Sequence, residues 1–188
     1  VLFTGPWYKV AVEMLEQHPE VSVGVQLCAN SEWKHYKWRP VAGKDRVPSL
    51  VDEDGYFYGS YEALNIDRTP SVEEMEIEFR AQIERALKTG LRIDYLDNHM
   101  GAGMHTAEQR AMVERLARDY ELPISGYYEE QFPGSFSGGT YEEQLERLVA
   151  LVDRMSPDTL YRIVFHAGTD TPELRALQDL NEGGTKNV

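Results

Sequence analysis

The sequence predicts an α/β fold built on a parallel sheet, and three observations carry that prediction. Short apolar runs rich in valine, isoleucine and leucine alternate with amphipathic helical segments. Strands that alternate with helices pair in parallel through crossovers. The helical segments carry capping residues at their starts, and three of the apolar runs end in polar residues followed by small ones. No Gly-x-Gly-x-x-Gly follows a strand, so a dinucleotide-binding fold loses support. A closed or partly closed (β/α) barrel and an open doubly wound sheet both satisfy this pattern.

Taken in order, residues 7–17 read as a helix carrying Val10, Val12, Met14 and Leu15. His18-Pro19 ends it, because the residue before a proline is biased away from helix. The valine-rich run 21–27 suits a buried parallel strand. Residues 28–70 are irregular, with Pro40, Pro48 and the turn Asp54-Gly55. A connection that long is functional or holds small elements of its own. Residues 71–89 form the clearest helix: Ser71 and Glu74 make a capping-box pair, Val72, Met75, Phe79, Ile83 and Leu87 repeat at helical spacing, and Gly90 follows. Its acidic residues Glu73, Glu74, Glu76 and Glu78 are expected on a solvated face. Residues 91–97 are the next strand, Thr106 caps a helix with Ala111, Met112, Leu116 and Tyr120 inward, and 122–125 form a short strand. Thr140 and Glu143 cap a helix whose inner stripe is Leu145, Leu148, Val149, Val152 and Met155, and 159–165 make a final strand.

The 188 residues suit one domain or a large piece of one, and 41% hydrophobic with 27% charged residues is a globular composition. A formal net charge of -13 argues against nucleic-acid binding and against an anionic membrane surface. It would repel polyanionic ligands at long range, so a neutral or amine-bearing ligand is easier to accept. The single cysteine, Cys28, rules out an internal disulfide and fits a reducing compartment, so a cytoplasmic location is expected. No run of about 18 apolar residues is present to span a membrane, and no signal peptide is visible. The chain starts at Val1 without an initiator Met, and both ends are expected to be truncations. The oligomeric state is left open, a homodimer included.

Parallel folds place their sites at the carboxyl ends of strands. There, Asp97 and His99 are two residues apart beyond the strand 91–97. An imidazole there could ligate a divalent metal while the carboxylate orients a ligand or moves a proton; a turn-capping aspartate beside a locally bonded histidine is the plainer alternative. His166 ends the strand of Ile163, Val164 and Phe165. It is expected to face a site rather than bulk water and could protonate a leaving amine, or it is a buried histidine satisfied locally. Trp33, His35, Tyr36 and Trp38 lie in the long loop after the first strand. Such rings stack on sugar faces, or anchor a loop against the domain. Arg162, inside a strand, either pairs with a buried carboxylate or reaches the site. His18 and His105 read as structural or solvated.

Together these segments resemble the YdjC-like carbohydrate deacetylases. The resemblance rests on residues 21–27, Ser31-Glu32-Trp33 with Tyr36-Lys37-Trp38, and Pro48-Ser49-Leu50-Val51-Asp52. It continues through Tyr95-Leu96-Asp97-Asn98-His99-Met100-Gly101 and Phe165-His166-Ala167-Gly168 with Asp170-Thr171-Pro172-Glu173-Leu174. It implies a (β/α) barrel-like domain over residues 1–188, and removal of acetyl groups from N-acetylated sugars or chitooligosaccharides with a divalent metal, magnesium or zinc. It implies His99 as a metal ligand and Asp97 and His166 as catalytic residues, and from their own chemistry Trp33, Tyr36, Trp38 and Arg162 are the candidate sugar contacts. Two departures stand out. The family's first-strand Asp-Asp pair, which supplies a metal ligand and the general base, has no match here. The second metal histidine falls on Gln26, and an amide oxygen is a poorer ligand than imidazole for zinc. A non-catalytic sugar-binding relative, and an acidic interaction domain, are the competing readings.

Overall fold

Residues 1–136, 138–166, 168 and 171–177 are described in the computed structural model, apart from the side chains of residues 61, 135 and 136. They divide into two units: Val1–Trp33 with Lys37–Ser125, and Lys34–Tyr36 with Gly126–Val188.

In the first unit, α1 spans Tyr8–Leu15 and β1 spans Val23–Leu27. The 28–70 connection does hold small elements: a 3-10 turn at Pro48–Leu50, an antiparallel bridge from Val51 to Phe57, and α2 at Tyr61–Asn65. Helix α3 (Val72–Leu87) starts where Ser71 Oγ accepts the N–H of Glu74, a cap worth about 1 kcal/mol. Strand β2 (Ile93–Asn98) leads through a 3-10 turn at His99–Gly101 to α4 (Ala107–Asp119), capped by Thr106. Strands β1 and β2 pair in parallel. The short strand expected at 122–125 is a single parallel bridge from Ile124 to Leu96. Gly24 is required where it stands, because a Cβ there would come within 2.3 Å of the Tyr95 ring.

The core is made by Val25, Leu27 and Leu96 from the strands and by Met75, Phe79, Ile83, Met112 and Leu116 from α3 and α4. The expected solvation of Glu78 is overturned, for it is fully buried, as is Gln82. Both lie on the face that buries Met75, Phe79, Ile83 and Ala86. The Glu78 carboxylate accepts the N–H groups of Val41 and Ala42 at 2.9 and 2.8 Å and Gln82 Nε2 at 2.7 Å. Gln82 in turn binds both backbone groups of Cys28: its Oε1 accepts the N–H at 2.9 Å and its Nε2 donates to the carbonyl at 2.7 Å. One buried polar chain thereby ties α3 to the start and to a middle stretch of the connection that follows β1.

Burial pushes the Glu78 carboxyl above the ordinary glutamate value, against the N–H donors that pull it down. A carboxyl with a raised folded value binds its proton more tightly in the native state, so its contribution to stability declines as pH rises above about 4.3. The difference in unfolding free energy between wild type and Glu78→Gln should therefore fall with rising pH in urea titrations, and a flat difference would count against this account.

In the second unit, β3 (Ser135–Phe136) and β4 (Val164–Phe165) pair in parallel, with a further parallel bridge from Gln131 to Tyr161. The expected strand 159–165 is thus two residues of strand plus one bridge. Helix α5 (Tyr141–Val152) has a complete capping box between Thr140 and Glu143, and α6 covers Pro172–Leu177. The expected inner stripe of α5 is not buried among the described residues: Leu145, Val149 and Val152 are exposed. No helix among the described residues is long and apolar enough to cross a membrane.

Candidate functional site

Strands β1 and β2 run in the same direction and in register, so their carboxyl ends lie side by side. Gln26 stands opposite Asp97, and Leu27 opposite Asn98. Gln26 Nε2 donates to Asp97 Oδ2 at 3.2 Å, so the position where the resemblance implies a metal imidazole presents an amide N–H to a carboxylate. Burial, then the carboxylates of Asp97 and Asp94, pushes the Tyr95 phenol up, which keeps it a neutral O–H group at physiological pH.

Beyond β2 the chain turns sharply. Met100 takes the left-handed conformation at φ 49°, uncommon for a residue with a side chain. This turn presents the His99 ring to the loop after β1, where its Nε2 lies 3.0 Å from Glu32 Oε2. The two side chains are only 15% and 18% exposed. Behind the imidazole stands a row of indoles. Trp38 meets the His99 ring edge-on at 6.5 Å, Trp33 meets Trp38 at 5.7 Å, and Trp7 meets Trp33 at 5.6 Å. Trp38 is buried in the core and Trp33 packs against it, so these two rings brace the imidazole within this unit.

The loop that carries Glu32 is held at several points. Gln82 grips Cys28, the Ser31 N–H donates to the Tyr58 carbonyl at 2.8 Å, and Ser31 Oγ accepts the Trp38 N–H at 2.9 Å. Asn30 Nδ2 donates to the Met100 sulfur at 3.2 Å, linking the two strand-end loops directly. Cys28 itself is no nucleophile: burial pushes its thiol up to about 12, so the thiolate is scarce at neutral pH. Beside the turn, Glu62, Met100, Gly101 and Met104 line a shallow open depression.

Tyr36, Arg162 and His166 belong to the second unit. Tyr36 is exposed, and the Arg162 guanidinium lies over the Phe132 ring at 5.1 Å. His166 comes directly after β4 and is exposed, where the sequence predicts a ring turned away from bulk water. A strand of two residues is too short to bury its neighbours, and Phe165 within it is exposed as well. Ala167 and Asp170, which contribute to the resemblance, lie outside the described residues.

Glu32 is the participant that sequence reasoning did not assign. It stood inside the motif Ser31-Glu32-Trp33, but no local pattern linked it to a histidine 67 residues away. As for a metal, no three His, Cys, Asp or Glu side chains gather as a ligand set among the described residues. The bond from Gln26 to Asp97 uses the amide nitrogen, and an amide oxygen is a poorer donor to zinc than imidazole. Together these side chains make a carboxylate–imidazole pair beside an amide–carboxylate pair, at adjacent ends of two parallel strands.

Comparison with known proteins matches the chain to a family. The YdjC-like protein family model matches residues 1–186. A carbohydrate deacetylase of Enterococcus faecalis is 30% identical over 122 residues, 64% of this chain and 44% of that protein. One from Brevibacillus brevis is 30% identical over 141 residues, 75% of this chain and 50% of that protein. The chain therefore spans about half the length of the curated relatives it matches. Its fold is also that of an Enterococcus faecalis V583 crystal structure named for cellobiose-phosphate cleavage, with a TM-score of 0.70, 24% identity, and coverage of 90% of this chain and 69% of that one. A match along nearly its whole length, on a parallel-stranded α/β fold, places this chain in the YdjC-like protein family.

Proposed function

We propose that this chain is part of a carbohydrate deacetylase that hydrolyses the acetamide of N-acetylated sugars or chitooligosaccharides. The observation that carries the reading is the family match over residues 1–186, with relatives named carbohydrate deacetylases. On this reading the strands belong to a (β/α) barrel-like domain, and a homodimer is compatible with it. The proposal includes a divalent metal, magnesium or zinc, with His99 as the imidazole donor that this chain contributes.

Deacetylation adds a water oxygen to the acetyl carbon and breaks the C–N bond. The water gives up a proton, and the departing nitrogen gains one. On the family pattern the water's proton goes to a first-strand carboxylate that this sequence does not match, and His99 serves as metal donor rather than as base, because a metal-bound imidazole whose other N–H meets Glu32 has no lone pair left to take a proton. Asp97, held by the Gln26 amide, offers a carboxylate to orient the sugar or the water. In the first unit Trp33 is the candidate contact to a sugar ring, Trp38 being buried as a brace for His99; in the second, His166 is the candidate proton donor and Tyr36 and Arg162 the candidate sugar contacts. The acidic composition suits an amine product, which leaves as a cation.

The test is acetate release from an N-acetylglucosamine oligomer by the complete protein. Acetate and free amine in equal amounts support the reading, and their absence with the oligomer bound removes it. Gln26 favours one second reading, a relative that binds sugar without hydrolysing it, because its amide N–H occupies a position where the resemblance has a metal ligand. Gln26→His should tighten zinc binding about tenfold or more, since imidazole is the better zinc donor. Calorimetric titration of both proteins measures this, and unchanged affinity would remove Gln26 from the metal's surroundings.

A further inference from the structure

We propose that Glu32 is a positioning residue that fixes the ring of His99 with its hydrogen on Nε2, leaving Nδ1 as the nitrogen that does the site's chemistry. The proposal rests on the reading of His99 as part of the deacetylase site, and adds to it a residue and a ring nitrogen.

The geometry carries the argument. His99 Nε2 and Glu32 Oε2 are 3.0 Å apart, and both side chains are more than four-fifths covered. A carboxylate only accepts hydrogen bonds, so the hydrogen between them belongs to Nε2. In a neutral imidazole one nitrogen carries the hydrogen and the other the lone pair. A partner for Nε2 therefore selects Nδ1 as the acceptor.

The partner is itself held. Ser31, its neighbour in sequence, is buried and bonded through both its N–H and its hydroxyl. Trp38, which supplies the N–H to that hydroxyl, also stands edge-on to the His99 ring. Carboxylate and imidazole are thus set by one local frame, and the ring's rotation is restrained by Trp38 on one side and Glu32 on another. A solvent-exposed ion pair would do none of this, because water would compete for both partners.

Nitrogen-15 NMR of the histidine side chains reads the tautomer directly. The complete protein is labelled at histidine, His99→Ala assigns the signal, and the spectrum is recorded where the ring is neutral. The expected result is a protonated Nε2 and a bare Nδ1 in the wild type. Glu32→Ala should give a mixture of tautomers, and Glu32→Gln, whose amide oxygen can still accept, should largely restore the wild-type pattern. A hydrogen on Nδ1 in the wild type, or an unchanged spectrum in Glu32→Ala, overturns the proposal. In the acetate assay Glu32→Ala should lower kcat by about 10- to 100-fold, the usual loss when a histidine's outer partner is removed, with KM little changed. A wild type that releases no acetate brings down the deacetylase reading, while the NMR result still decides the role of Glu32.

Discussion

Replacing His99 with alanine is expected to lower kcat/KM for acetate release by about 10²- to 10⁴-fold, because it removes the imidazole proposed to hold a metal that supplies several kcal/mol of transition-state stabilisation. That corresponds to about 3–5 kcal/mol of transition-state stabilisation. The ring cannot be spared. It joins the loop after β1 to the turn after β2 through its bond to Glu32, and it lies at the strand ends where Gln26 and Asp97 meet. Alanine also removes the ring that Trp38 braces. The fold should survive, because the contacts that hold the turn are of backbone, such as the Ala102 N–H to the His99 carbonyl at 3.0 Å. Steady-state kinetics alongside a thermal melt separate the two effects. A loss of activity below about tenfold, with the fold intact, would mean that His99 lies outside the chemistry.

The second large effect concerns stability. Gln82→Leu is expected to lower the unfolding free energy by about 3–5 kcal/mol, since each buried polar group left without a partner costs about 1–3 kcal/mol. Leucine fills a similar volume but leaves the N–H and carbonyl of Cys28 unpaired and takes a donor from Glu78. Those groups are buried, so water cannot replace what is lost. The loop from Cys28 to Glu32 would loosen with them, so sugar binding should weaken in the same variant. Urea denaturation followed by fluorescence measures the change. A loss under about 1 kcal/mol would show that the loop repacks around leucine, and that the buried polar chain adds little to the fold.

The resemblance to the family was legible because it resides in short stretches with fixed order, such as Ser31-Glu32-Trp33 and Asp97-Asn98-His99-Met100-Gly101. Helices α3, α4 and α5 were legible for a local reason. Ser71, Thr106 and Thr140 each accept an N–H from the residue three further on, a bond that needs no distant partner. The burial of Glu78 and Gln82 was hidden by residue type rather than by spacing. They follow Met75 at i+3 and i+7, squarely on the inner face, but long polar side chains are rarely buried unless something satisfies them. The stripe on α5 erred in the opposite direction: its spacing is amphipathic, yet Leu145, Val149 and Val152 remain exposed among the described residues.

The sequence by itself determined where α3, α4 and α5 begin, that the runs 21–27 and 91–97 hold strands, and which family the motifs belong to. All of these depend on residues within a few positions of one another. Tertiary structure alone decided that Gln26 gives its amide to Asp97, that Gln82 acts as a bonding partner for the backbone of Cys28, and that Glu32 meets His99. Those pairs are separated by 71, 54 and 67 residues. They form only when parallel pairing sets β1 beside β2 and the packing of α3 and α4 closes the loops over the strand ends. Periodicity along a chain specifies which face of an element is apolar, but which polar groups meet across a core depends on how the elements dock.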